Sequence, residues 1–294
     1  MTELTKPGQI STKFNLEKIE SIFLKQPQVD CPVTHHFGPG TYTREVFMPA
    51  GTTVIGHHHN EEHLNIMVKG RILFATENGI VELRAPQILP GKTGRKIAKV
   101  LEDTVWLNVF SNPSNEQDVN NLENRLLTKS DAWNSDKLYR DKVLQIESFD
   151  DQKDFKKCLE EFGISEWTAQ QISECDGDLT PFPYGSFKVK VSTSTIHGQG
   201  LFATGNFEPG ELIAPARING LHTKAGRFTN HSIKSNAQMV ALPNGDINLV
   251  ATSKIAGCLG GQDGQEILIN YREALKLTMG IAKGDLKCLQ SQSQ

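Results

Sequence analysis

From about Tyr42 to Phe110 the apolar positions come in short runs rich in β-branched and aromatic residues, cut by Gly and Pro: TREVFMPAGTTVIG, LNIMVKGRILFAT, GIVELRAPQILP and DTVWLNVF. Short strands at such even spacing predict a sandwich or a small barrel. The period then changes. Phe155, Leu159 and Phe162 stand at i, i+4 and i+7 on one helix face, with Gly163 placed to end that helix and Ser165 to cap a second. Residues 148–175 are therefore predicted to form a helical hairpin. Its acidic lean favours packing between domains over a DNA-reading helix-turn-helix. A second strand-rich region covers 186–281, after the chain-breaking LTPFPYG. The polar run SNPSNEQDVNN (111–121) predicts an exposed linker, and the segment after it mixed helix and loop. The opening residues carry one modest amphipathic stretch (Phe14, Ile19, Ile22, Phe23), and the closing LQSQSQ predicts disorder. The resulting organisation is an arm (1–30), a β-barrel (31–115), a helical connector (116–184), a second β-domain (185–282) and a flexible tail (283–294).

Composition narrows the classes. At 294 residues the chain is long enough for two domains with a buried core in each. A net charge of -3 with both signs mixed gives no electrostatic footprint for nucleic acid or an anionic membrane, so neither is expected as a partner. The five cysteines (31, 158, 175, 258, 288) form no C-x-x-C pair, which points to reduced thiols rather than a disulfide framework or zinc ribbon. MTELTKPGQI lacks the apolar core of a signal peptide, and no apolar stretch approaches the roughly 20 residues of a spanning helix. A soluble protein in the cytoplasm is expected.

Two clusters carry candidate chemistry. In GTTVIGHHHNEEHLNIMVKG (51–70), His57 and His59 stand at i and i+2 near a strand end and share a face, with His58 turned away. His63, after a local turn, can complete one side of a metal site, and neutral imidazole suits ions such as Zn, Fe, Ni, Cu or Co. This stretch resembles the first motif of the cupin family, G-x5-H-x-H-x3/4-E-x6-G, at Gly51, His57, His59 and Gly70, with His63 in the glutamate slot and Glu62 one step short. Of the second motif, LPGKTGRK supplies Pro90 and Gly91, while Gly94 or Arg95 stands where a histidine belongs. The resemblance covers about residues 40–110. It implies a jelly-roll barrel, a divalent metal (Zn, Fe, Ni or Mn) on His57, His59 and His63, and a homo-oligomer formed through the barrel. The same segment misses the G-x-x-x-x-G-K-[ST] spacing of a phosphate loop.

The second cluster is GRFTNHSIKSNA (226–237), preceded by STIHGQGLFATGNFEPGELI and followed by GQEILINYREAL. In that order, over about 90 residues, the blocks resemble a SET domain, the protein-lysine methyltransferase fold with its threaded pseudoknot. The resemblance implies S-adenosylmethionine as cofactor and a lysine-bearing protein as substrate. It implies cofactor contacts at Gly198, Gln199, Gly200, Arg227, Phe228, Asn230 and His231, and catalysis at Tyr271. The residue types suit that chemistry. Gly198 and Gly200 let backbone approach a ligand that a Cβ would block, and Asn230 offers both an amide and a carbonyl. A phenol can orient a transferring methyl through weak C–H···O contacts, provided the incoming amine is neutral.

Three departures from the SET pattern bear on activity. Only about a dozen residues separate Glu211–Ile213 from Arg227, where the family has a longer insert walling the peptide groove. No cysteine-rich segment follows Tyr271, and Ile269 replaces a frequent aromatic. Minimal SET domains of this kind resemble viral and bacterial ones, which implies host cytoplasm for a viral chain. The expected fold is thus mainly β: a cupin-like jelly-roll barrel and a SET-domain β-fold joined by a helical connector. The expected function is S-adenosylmethionine-dependent protein-lysine methylation; the alternative is a non-catalytic assembly protein using both folds as binding scaffolds.

Overall fold

The computed structural model describes residues 16–76, 79–174, 176–259 and 261–277. The tail at 283–294, Cys175 and Cys288, and Phe14 with most of the arm lie outside the described residues. The chain opens with helix α1 (Leu16–Phe23). Eight strands follow: β1 (Val33–Gly38), β2 (Thr41–Met48), β3 (Thr53–Ile55), β4 (His58–His59), β5 (His63–Thr76), β6 (Gly79–Arg84), β7 (Gln87–Gly91) and β8 (Ile97–Ser111). Then come α2 (Val119–Leu126), β9 (Leu127–Thr128), α3 (Asp131–Glu147), α4 (Phe149–Glu161) and α5 (Glu166–Glu174). The C-terminal half holds β10 (Gly185–Phe187), β11 (Val189–Thr193), β12 (Gln199–Ala203), β13 (Leu212–Ile218), β14 (Leu221–His222) and α6 (Lys224–Arg227). It closes with β15 (Asn230–His231), β16 (Ala237–Ala241), β17 (Ile247–Ala251), β18 (Cys258–Leu259), β19 (Gln262–Asp263) and β20 (Leu268–Ile269).

The N-terminal strands form one sheet in the order β10-β1-β2-β8-β5-β6, with β3 on β8 and β7 on β5. The two long strands each serve several partners: β8 pairs β2 through residues 104–111 and β3 through 97–99, and β5 pairs β7 through 63–67 and β6 through 71–76. Register shifts around Met67, Lys69 and Arg71 interrupt the β5·β8 ladder, as bulges that bend a strand do. The strand path does not close, which corrects the expected barrel. One edge is taken instead by β10, which arrives from far downstream and sets Phe187 opposite His35.

That strand also corrects the boundary placed at residue 185, since 185–187 belong to the N-terminal sheet. The expected linker at 111–121 is likewise built into the molecule. Asn112 is buried and bonds Glu116 in both directions, and Asp118 caps α2 through the N–H groups of Asn120 and Asn121. In α2, Val119, Leu122 and Leu126 recur at i, i+3 and i+7 and are buried, each worth about 1.5–3 kcal/mol relative to exposure. They join one core with Phe37, Tyr42 and Phe110 from the sheet and Val189, Leu201, Ile213, Leu249 and Ile267 from the C-terminal half. A smaller core (Met48, Met67, Ile72, Ala98, Val100) lies within the sheet.

The helical hairpin forms as predicted. Phe155 and Leu159 are buried on α4, Gly163 takes the left-handed φ of +66°, and the Ser165 hydroxyl accepts from Thr168 N–H at the start of α5. In the C-terminal half, β11 and β12 form a hairpin, and β14-β13-β17-β16 a four-stranded sheet. The short strands β15 and β20 run parallel, Asn230 opposite Leu268 and His231 opposite Ile269. No helix among the described residues is long and apolar enough to cross a membrane.

Candidate functional site

Three chain segments meet around the β15–β20 pair. The Asn236 side chain accepts from Leu268 N–H at 2.8 Å and donates to the Glu266 carbonyl at 2.9 Å, tying 236 to 266–268. Asn230, buried, donates through Nδ2 to the carbonyls of His197 and Gln199 (both 3.1 Å) and to Glu266 Oε1 (2.8 Å). Ser194 organises the turn before Gly198: its hydroxyl accepts from Ile196 N–H at 2.9 Å and donates to Glu266 Oε2 at 3.0 Å. The Tyr271 hydroxyl donates to the Thr229 carbonyl at 3.0 Å, and Tyr271 N–H donates to His231 Nδ1 at 3.0 Å. His231 is fully buried. Because its Nδ1 accepts, the ring proton sits on Nε2 and is donated to Asp154 Oδ2 at 2.7 Å. Arg272 Nη1, 3.3 Å from the same Nε2, is also a donor, so Asp154 is what both groups share.

Of the residues expected to hold a cofactor, Gly198, Gln199, Asn230 and His231 are brought together with Tyr271. Gly198 has a φ of +52° and nothing within 4 Å of the place a Cβ would take, which leaves an open edge on the turn. Gly200 is needed for a different reason from the one the sequence suggests: a Cβ there would stand 2.2 Å from Glu266 Oε1. Arg227 points elsewhere. Its buried guanidinium pairs with Asp178, and Phe228 packs on the shared core.

Two residues in this site were not expected there from the sequence: Glu266, and Phe155, which the sequence places only on a helix face. Burial raises the Glu266 carboxyl to about 7, against the opposing effect of its bonds from Asn230 and Ser194. Phe155 of α4 packs against the rings of His197 (4.8 Å) and Tyr271 (6.2 Å, edge-on). The same helix sends Asp154 to His231 and Arg272, Asp151 to the Ser232 hydroxyl, and Glu161 to Arg272. Arg272 holds the Asp154 carboxyl below the usual carboxylate range. The connector therefore lies directly on the face formed by His197, His231 and Tyr271. Burial pushes the Tyr271 phenol well above its ordinary value, so it is neutral at physiological pH.

Two histidines of the first cluster sit at the wall of a cavity of about 560 Å3 behind the N-terminal sheet. His57 and His59 both line it and His58 is exposed, as the i, i+2 spacing requires. His59 and His63 stack face to face (centroids 4.5 Å apart, 20° between planes), and His57 packs edge-on against Trp133. His63 directs Nδ1 to the Glu61 carbonyl and Nε2 to Asn65 Oδ1. Stacked rings aim their nitrogens along their own planes, and His59 and His63 do not face each other through those atoms. Among the described residues no group of three or more His, Cys, Asp or Glu side chains is placed to hold a metal. Where a second-motif histidine would stand, Gly94 exchanges backbone bonds with His59, and Arg95 forms a bidentate pair with buried Glu20 of α1.

The chain matches no family model, and no curated protein matches it. Among solved structures it is similar to a cupin-2 domain protein from Shewanella frigidimarina (14% identity, TM-score 0.24, covering 34% of this chain and 95% of that one). A cupin domain from Bordetella pertussis is similar at 14% identity and TM-score 0.24, covering 30% and 98%. A protein from Photorhabdus luminescens is similar at 12% identity and TM-score 0.22, and the match spans 26% of this chain and 66% of that protein's length.

Proposed function

We propose that the C-terminal half is an S-adenosylmethionine-dependent protein-lysine methyltransferase of the SET type. The observation that carries this reading is the convergence of the turn at Gly198, the Asn230–His231 pair and Tyr271 through the bonds of Asn230 and Tyr271. These are the segments whose motifs resemble that family, and they are far apart in sequence. S-adenosylmethionine would supply an electrophilic methyl on a sulfonium centre. The open edge at Gly198, with the carbonyls of His197 and Gln199 and Asn230 Oδ1 as acceptors, suits the ammonium group of its amino-acid end. The substrate amine must be neutral to attack, and a buried site favours that form. Tyr271, held by the Thr229 carbonyl, keeps lone pairs for C–H···O contacts and serves as an orienting group, since a neutral phenol of raised pKa is no base. The amine nitrogen would take the methyl as the methyl–sulfur bond breaks, the bonding pair staying on sulfur to leave a neutral thioether, and the nitrogen would then release one proton to solvent.

One observation favours the second reading, a non-catalytic scaffold: α4 covers the His197–His231–Tyr271 face. On the enzymatic reading α4 must withdraw for cofactor to enter. The test is transfer of labelled methyl from S-adenosylmethionine to the protein itself or to lysate proteins, with lysine located by mass spectrometry. Wild type should label and Tyr271→Phe should lose most of the turnover with little change in cofactor affinity. No labelling by either protein supports the scaffold, and equal labelling by both would remove Tyr271 from the reaction.

A further inference from the structure

Four adjacent strands place four polar residues in one rung on the inner face of the N-terminal sheet. His35 of β1 is opposite Arg44 of β2, Arg44 is opposite Asn108 of β8, and Asn108 is opposite Asn65 of β5. All four line the 560 Å3 cavity, and the next rung is apolar (Val33, Val46, Trp106, Met67). His35, Asn65 and Asn108 are buried, at 1%, 3% and 6% exposure. Part of the rung satisfies itself: Asn65 Oδ1 accepts from Asn108 Nδ2 at 2.8 Å and from Trp106 Nε1 at 3.2 Å. The rest does not. His35 Nε2 and Arg44 Nε are buried without a hydrogen-bond partner, as are Nδ1 of His57 and of His59. Two acceptors from the C-terminal half that line the same cavity share this state, Gln262 Oε1 and Asp263 Oδ2.

Unpartnered buried polar atoms are rare because each keeps its desolvation cost without return. Six around one cavity point to a missing partner rather than to six independent faults. The signs say what it is. The Tyr42 hydroxyl and His35 Nδ1 are 2.7 Å apart. A phenol proton needs an acceptor, so Tyr42 donates and His35 Nε2–H becomes a donor at the cavity. Arg44 Nε–H is a second donor, and it is charged. The carboxylates that could neutralise Arg44 are engaged elsewhere: Glu20 with Arg95, Glu123 with Lys129 and Lys190, and Asp263 Oδ1 with Lys190. Lys96, also on the cavity, has no carboxylate partner among the described residues.

We propose that this cavity binds a small organic anion bearing hydroxyl groups, its acidic group on Arg44 and His35 and its hydroxyls on Gln262 and Asp263. The volume is within the range of roughly 300–1,000 Å3 usual for small-molecule sites. Such a ligand would touch both halves of the chain. It requires no metal and is independent of the methyltransferase reading. A carboxylate and a phosphate monoester share the needed chemistry, and the probes separate them.

The experiment is calorimetric titration of the full chain with gluconate, with glucose 6-phosphate, and with sorbitol as the neutral counterpart. At least one anion is expected to bind with a submillimolar dissociation constant, and sorbitol at least a hundredfold more weakly. Arg44→Met should weaken the anion at least tenfold. No binding of either anion, sorbitol binding as well as the anions, or unchanged anion affinity in Arg44→Met would overturn the proposal. The comparison of anions with sorbitol on wild type stands even if the variant fails to fold.

Discussion

Glu266 holds its place through two donors, Asn230 and Ser194, and through the missing side chain of Gly200. Its folded pKa of about 7 lies above the ordinary 4.5, so the native state takes up a proton that the unfolded chain has lost between those values. The group's contribution is therefore full below about pH 4.5 and falls away as the pH rises through 7. Glu266→Gln, which cannot titrate, should remove that slope: the stability difference between variant and wild type, from urea unfolding at pH 4.5 and 8, should move in the variant's favour by on the order of 3 kcal/mol. A pH-independent difference would show that Glu266 titrates normally. At the same scale, Asn230 and Tyr271 were readable from their motif blocks, because the residue types suit the proposed chemistry. Glu266 lies within GQEILINY, but nothing in a linear sequence tells a buried carboxyl from a solvated one.

For the connector, local pattern reached the helix but not its partner. The spacing of Phe155 and Leu159, with Gly163 and Ser165 beyond them, is a short-range signal, and the hairpin forms where it says. Asp151 and Asp154 on the same helix have no apolar periodicity and read as solvated charges, yet they bind Ser232 and the His231–Arg272 pair across some 80 to 120 residues of chain. The depressed Asp154 carboxyl contributes to docking of α4 at neutral pH, and that contribution is lost only as the pH falls through its folded value, below 3.8. Asp154→Asn removes the charge at every pH. Hydrogen exchange of α4 amides should then be faster at neutral pH while the β13·β17 ladder keeps its protection. Unchanged exchange in α4 would mean that Phe155 and Leu159 alone hold the helix.

Across the whole molecule, composition misled where burial decides. SNPSNEQDVNN looks like a tether because its residues favour turns, but its last turn opens α2, whose Val119, Leu122 and Leu126 are buried between the halves. The alternating strands of 42–110 were legible as a β-sheet. Its failure to close was not, because the edge partner β10 is supplied by a three-residue strand nearly 150 residues away. The two halves should consequently unfold as one unit. Limited proteolysis of the full chain is expected to spare 111–121, and a fragment beginning at 186 should be insoluble because it exposes the core face that Phe37, Tyr42, Phe110 and α2 cover. Cleavage within 111–121 to give a stable C-terminal fragment would contradict a shared core.

We propose the hydrogen-bonded cluster around Asn230 and Tyr271 as a cofactor site beneath a removable helix. Calorimetric titration of S-adenosylmethionine into full-length wild type and Asp154→Asn, side by side, tests it most directly. A site open in only a fraction of molecules binds more weakly by that fraction. Loosening α4 should therefore tighten the apparent affinity several-fold, and adding Asn230→Ala should weaken it again by about five- to a hundred-fold. Absence of binding heat in both proteins would contradict the proposal and leave the cluster as a structural element.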